Sequence, residues 1–377
     1  MTHPDFLLDP QIHFLNHGSF GACPRPVFET YQNWQRELEN QPVEFLGRRI
    51  TGLMAHARAE LGAYLNAPAQ NLVYFPNPTT AVNMIAHNLA LRPGDEILTT
   101  NHEYGAMDRT WRYVCNLMGA KYIQQPIPIP LNSPEQFLEA FWKGVTPRTQ
   151  AIFLSHITSA TALTFPVAEV CARARESGIL TIIDGAHAPG QIPLNLQTLG
   201  ADLYVGACHK WLCAPKGSSF LYAAREVQDW LDPLVVSWGY ESDTPSESQF
   251  VDYHEWQGTR DPAAFLSVPA AIAYQKENHW HQVRVAAHQL GAAARESLCQ
   301  LPGVSPLCPQ DAFSQMFAIR LPQATDVTAL KTRLYNQYRI EVPVYHWQNI
   351  PLLRVSVQAY NTPEDLAVLH TALQELL

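Results

Sequence analysis

Strands alternating with helices across residues 72–223 predict an α/β protein: a large domain with a mostly parallel sheet flanked by helices, then a smaller C-terminal α/β domain. Three features point that way. Apolar, β-branched runs such as 151–156 and 179–183 are bounded by turn signals and read as strands buried on both faces. Segments between them, such as 135–145 and 167–177, read as helices. At 377 residues the chain is also longer than one ordinary core, so two domains are expected.

Composition narrows the function classes. A formal charge of −9 argues against a nucleic-acid or anionic-membrane partner. The 7 cysteines are scattered, with no CxxC pair, so neither a disulfide framework nor a metal cluster is expected. No apolar run approaches the roughly 20 residues that span a bilayer, and the N-terminus does not read as a secretion signal. A cytoplasmic location is the expectation.

In chain order, residues 1–24 are irregular and carry a polar Asn16-His17 pair within FLNHGSFG. Two amphipathic helices follow over 26–46 and 49–65, the second with Leu53, Ala57, Leu61 and Leu65 at helical spacing. A short strand at 72–75 leads into Asn77-Pro78-Thr79-Thr80, an N-cap signal opening a helix over 81–91. Backbone N–H groups at such a helix start also suit a phosphate. The strand 96–100 runs into Asn101-His102-Glu103-Tyr104, the next strand-to-helix loop. Strands at 122–125 and 151–156 follow, the latter ending near Ser159.

The strand 179–183 ends in Asp184-Gly185-Ala186-His187, and the strand 202–206 in Ala207-Cys208-His209-Lys210-Trp211. Ligands of open α/β sheets bind at such C-terminal strand ends. Either residue alone has an ordinary explanation, Asp184 as a cap and Lys210 as a solvated loop lysine. Together they suit pyridoxal 5'-phosphate, with Lys210 bonded to its aldehyde and Asp184 keeping its ring nitrogen protonated. Rival motifs are missing: no GxGxxG, GxxxxGK[ST] or GxSxG is present.

Beyond a strand at 218–222, residues 232–262 read as extended loops containing EWQGTRDP. Helices are expected over 263–274, 281–301, 326–338 and 363–377, and strands over 316–321, 340–344 and 352–357. In the last strand, alternation places Arg354 on the face opposite Leu353, Val355 and Val357, free to hold a carboxylate. The expected division is an N-terminal segment at the active-site mouth (1–24), a large domain (25–261) and a small domain (262–377).

FLNHGSFG, NPTTAVN, DGAHAPGQ, CHKW, EWQGTRDP and LRVS, spread over nearly the whole chain, resemble the fold-type I pyridoxal-phosphate enzymes of the class V aminotransferase group. Within it they most resemble the isopenicillin N epimerase-like and cysteine desulfurase-like branch. The resemblance implies Lys210 as covalent anchor and general base, and His187 as partner of the cofactor's phenolic oxygen. It implies Tyr104 as the stacking ring, with His102 its competitor, and Thr79, Thr80 and His209 as phosphate contacts. Ser159 stands where desulfurase-like relatives carry an asparagine near that oxygen. At Ala207 relatives often have a serine or asparagine, so one phosphate donor is missing. Thr259 matches a threonine that reaches the partner's cofactor in a homodimer with shared active sites. Arg354 matches the substrate-carboxylate anchor, and Asn16 and His17 a segment shaping the substrate pocket.

The implied activity is a transformation at the α-carbon of an amino acid, epimerase-like. The alternatives are a C–S lyase or desulfurase-like enzyme on a cysteine derivative, or an aminotransferase. Residues 338–353 lack the desulfurase cysteine, which disfavours persulfide chemistry. An epimerase needs a second acid, with Tyr104 and His17 as candidates. A non-catalytic cofactor sensor is the remaining class, but the chain shows no spare DNA-binding module.

Overall fold

The computed structural model describes residues 5–377, so residues 1–4 of the expected N-terminal segment lie outside the described residues. Its centre is a seven-stranded sheet. Across the sheet the strands are Leu72–Phe75, Ser219–Ala223, Leu203–Ala207, Leu180–Gly185, Thr149–Ser155, Glu96–Thr100 and Lys121–Gln125. Only Ser219–Ala223 runs against the others. The mostly parallel sheet expected from the sequence is thus present.

Alternate residues of the central strands feed two different cores. Val73, Phe75, Phe153, Ile182 and Val205 pack on one face. Leu72, Tyr74, Ile152, Leu154, Ile183 and Tyr204 pack on the other. Burial on both faces is why these strands read as unbroken apolar runs rather than alternating ones. The edge strand Lys121–Gln125 is more polar and more exposed, as an unpaired edge requires.

The smaller antiparallel sheet contains Val344–Trp347, Ile350–Ser356, Met316–Arg320 and Ser305–Pro306. The helix Trp280–Leu298 packs on this unit, whereas Ala263–Leu266 and Val268–Glu277 pack on the N-terminal helices Arg25–Asn40 and Ile50–Leu65. Packing partners therefore change near Asn278, downstream of the Pro262 division expected from the sequence.

Three local expectations differ. The segment 340–344 is not one strand: Ile340–Glu341 pairs in parallel with His13–Phe14, and the chain breaks at Pro343, which has no N–H to donate, before Val344–Trp347 joins the small sheet. The loop 232–262 contains a helix, Gln249–Glu255, capped by the Ser248 side chain on the Val251 N–H. The helix expected over 81–91 is Pro78–Asn88, since Pro78 occupies its first turn, where a missing N–H costs nothing.

Candidate active site

The C-terminal ends of the parallel strands open on a cavity of about 260 Å³. Strand Leu180–Gly185 delivers Asp184, strand Leu203–Ala207 leads to His209 and Lys210, and Leu72–Phe75 leads to Asn77 and Thr79. Tyr104 follows Glu96–Thr100, and Ser159 follows Thr149–Ser155. From the small sheet comes Arg354, and from the N-terminal segment Gly18, Ser19 and Phe20. The N-terminal segment passes directly over the lysine turn. At Gly21 (φ +69°) a Cβ would lie 2.0 Å from the His209 carbonyl oxygen and 2.9 Å from Lys210 Cα, so only glycine fits.

Lys210 Nζ lies 3.2 Å from His187 Nε2. Burial holds this amine below the usual lysine range, at about 8, with Asp184 opposing the drop and Arg354 adding to it. On the other side of the ring, Trp211 Nε1–H donates to His187 Nδ1 at 3.3 Å. An indole nitrogen only donates, so Nδ1 accepts and the proton of the neutral imidazole sits on Nε2, pointing at Lys210. Burial, with the charges of Lys210 and Arg354, pushes His187 well below the normal histidine range. A neutral, Nε2-protonated ring therefore faces the amine, which accepts that hydrogen bond in its uncharged form.

Asp184 is buried; its Oδ1 accepts the Ala186 N–H at 2.9 Å, and no ion pair among the described residues includes it. Burial raises its pKa, while the Ala186 N–H and the Lys210 charge work the other way. Behind it lies Glu103, which the sequence reading passed over in favour of its neighbours His102 and Tyr104. Its carboxyl accepts Thr100 Oγ1–H at 2.6 Å, Ser155 N–H at 3.0 Å and Ser155 Oγ–H at 2.5 Å. Burial pushes this acid up to about 8, the hydrogen bonds opposing and Asp184 adding to the rise. An acid immediately after a buried strand, as in Thr100-Asn101-His102-Glu103, was the available signal.

At the opposite end, the Asn77 side chain accepts both the Thr80 N–H at 2.8 Å and the Thr80 hydroxyl at 3.0 Å. Thr80 is thus tied to the cap, and it is Thr79 that lines the cavity. His209 Nδ1–H donates to the Ser218 carbonyl at 2.9 Å, leaving Nε2 with its lone pair. Burial lowers this ring to about 4; the Ser218 bond opposes, and Lys210 and Lys216 add to the drop. Ala207 is fully buried within its strand and does not line the cavity.

Arg354 is buried and has no acidic partner among the described residues. Nη1–H donates to the Ser159 carbonyl at 2.6 Å, Nη2–H donates to Ser19 Oγ at 3.0 Å, and Nε has no partner. A buried guanidinium without a counter-charge is costly and suits an incoming anion. Ser159 thus lines the cavity and meets the arginine through its carbonyl oxygen.

Other expected residues lie elsewhere. His17 is fully buried behind the wall, with Nε2–H donating to the Lys210 carbonyl at 3.0 Å and Nδ1 accepting from Tyr360 at 3.0 Å. It does not line the cavity, and burial lowers it to about 3; Tyr104, the other candidate, does line the cavity. Asn16 also lies outside the lining. His102 is buried between Thr161 and the Ile127 carbonyl, with its ring against Trp347, so it does not compete with Tyr104. Thr259 is exposed and outside the cavity. No cysteine lines it.

Comparison with known proteins identifies the family. The family model described as aminotransferase class-V matches residues 21–369. The chain is 38% identical to an isopenicillin N epimerase of Amycolatopsis lactamdurans, covering 98% of this chain and 96% of that one. It is 27% identical to a putative L-cysteine desulfhydrase of Oryza sativa subsp. japonica, over 96% and 83% of the two chains. A solved structure of the protein C-DES, with glycine covalently linked to its pyridoxal-phosphate cofactor, superposes with a TM-score of 0.87. That match has 21% identity and covers 98% of this chain and 97% of that one.

Proposed function

The chain belongs to the class-V aminotransferase family, and on that footing we propose that it binds pyridoxal phosphate at Lys210 and reworks the α-carbon of an amino acid, as an isopenicillin N epimerase-like enzyme. One observation carries the reading: a depressed lysine amine, a buried carboxyl without a cation, and a buried guanidinium without an acid all meet in one cavity.

The residues present fit the cofactor. Asp184 offers a buried carboxyl for a protonated ring nitrogen, Thr79 at the helix start offers its N–H and hydroxyl for a phosphate, and Lys210 offers the amine. Bound there, pyridoxal phosphate supplies the electron sink that makes an α-proton acidic. Arg354 holds the α-carboxylate and so fixes which α-substituent faces Lys210. With its pKa held near 8, the freed Lys210 amine is poised to take or return that proton. His187 directs its Nε2–H at the reacting side. For proton delivery from the other face, Tyr104 is the group at hand.

A C–S lyase acting on a cysteine derivative is the second reading. It is favoured by the desulfhydrase relative and needs no cavity cysteine. Incubation with L-amino acids and cysteine derivatives in deuterated water separates the two. α-Deuterium and D-isomer mark epimerisation, pyruvate and sulfide mark elimination, and keto acid marks transamination. Absence of all of these over the whole panel would reject the proposal.

We further propose a homodimer. Val236 and Trp238 are 69% and 84% exposed, apolar surface of the kind a second copy covers, and exposed Thr259 is then free to reach the partner's cofactor. No helix among the described residues is long and apolar enough to cross a membrane. Seven free cysteines support a cytoplasmic location.

A further inference from the structure

We infer that Ser19, Asn16 and Glu341 form a directional relay that positions the Arg354 guanidinium for its carboxylate. The inference rests on the reading of Arg354 given above. Arg354 Nη2–H donates to Ser19 Oγ at 3.0 Å, the Ser19 hydroxyl donates to Asn16 Oδ1 at 2.5 Å, and Asn16 Nδ2–H donates to Glu341 Oε1 at 2.9 Å. Each bond sets the sense of the next. A serine hydroxyl has one proton, and giving it to Asn16 leaves its lone pairs for Arg354. An asparagine amide has two orientations, and Glu341, which only accepts, selects the one that turns Oδ1 toward Ser19.

The backbone holds these three side chains in line. His13–Phe14 pairs in parallel with Ile340–Glu341, Leu15 N–H donates to the Glu341 carbonyl at 3.0 Å, and Ser356 N–H donates to the Leu15 carbonyl at 2.9 Å. The N-terminal segment is thereby stitched between the strand bearing Glu341 and the strand bearing Arg354.

The arrangement explains why neutral groups touch the arginine. A carboxylate in direct contact would compete with the substrate for the guanidinium. Placing the acid two side chains away orients Arg354 through polarised hydrogen bonds and leaves its charge for the ligand. Ser19, Asn16 and Glu341 are positioning residues in this scheme.

The test uses the pyridoxal-phosphate-loaded protein, titrated by visible absorbance with L-alanine and with ethylamine, its carboxylate-free counterpart. Ser19→Ala, Asn16→Ala and Glu341→Ala are each expected to weaken L-alanine binding by roughly ten- to hundredfold, the range for a hydrogen bond to a charged group. Ethylamine binding and cofactor affinity stay unchanged. Glu341→Gln, which keeps an acceptor, restores most of the preference lost in Glu341→Ala. Equal losses for both ligands, or no loss in any of the three variants, overturn the relay. Arg354→Ala separates the levels: if it abolishes the alanine preference while the relay variants do not, only the relay fails. If Arg354→Ala leaves that preference intact, the carboxylate reading fails and the relay with it.

Discussion

Trp211 and His187 are joined by a hydrogen bond whose direction is fixed by chemistry: the indole N–H at 3.3 Å from Nδ1 leaves the imidazole proton on Nε2, facing Lys210. One buried tryptophan thereby decides which hydrogen the site presents to its amine. Trp211→Phe removes that constraint and frees the other tautomer. In the pyridoxal-phosphate-loaded protein, the pH at which the visible band changes is expected to shift, with the fold retained by circular dichroism. An unmoved midpoint would show that another contact sets the tautomer.

Lys210 as covalent anchor predicts a simple chemical outcome. After borohydride treatment of the loaded protein, peptide mass spectrometry should find the cofactor mass on Lys210. Lys210→Ala should carry none, although it still binds cofactor through the phosphate end. Label at another lysine in the wild type would move the anchor.

The depressed Lys210 amine makes a signed prediction for the cofactor-free protein. Between about 8 and the ordinary value of 10.5 the unfolded chain holds a proton that the folded chain has released. Folding stability from this residue therefore rises with pH across that window and is at its worst below it. Lys210→Met should raise the melting temperature at pH 7, and its advantage should shrink by pH 10. A constant difference at both pH values would mean that Lys210 is not held below its normal range.

His209 gives a second signed prediction. Its Nδ1–H is committed to the Ser218 carbonyl and the ring is neutral, so Nε2 must gain a proton before it can donate to a phosphate oxygen. Binding inorganic phosphate at pH 7.5 should take up about one proton, measured by calorimetry in buffers of different ionisation heat. Affinity should fall as pH rises. His209→Gln, which offers an amide donor, should bind phosphate with little uptake. Uptake equal to wild type in that variant would assign the proton elsewhere.

Gly21 is the steric counterpart of these polar contacts. Gly21→Ala places a methyl against the His209 carbonyl in a left-handed backbone, at an expected cost of at least about 1–2 kcal/mol. Reduced melting temperature together with weakened cofactor binding would confirm that the N-terminal segment presses on the lysine turn. A neutral substitution would show that the segment yields.

By itself the sequence determined the sheet and the ends of its strands. Apolar runs closed by Asp184 and by His209-Lys210 are local patterns, because burial on two faces and a turn leave their mark within a few residues. Arg354 was legible for the same reason, by its phase against Leu353 and Val355. What the tertiary structure decided were the contacts between distant segments: Trp211 on His187, Glu103 behind Asp184, Thr79 rather than Thr80 at the cavity, and His17 behind the wall. Residues 13–19 reach Arg354 only because they pair with Ile340–Glu341. Spacing along the chain records periodicity on one element. Which donor meets which acceptor across more than 300 residues, as Asn16 meets Glu341, is set by how those elements pack.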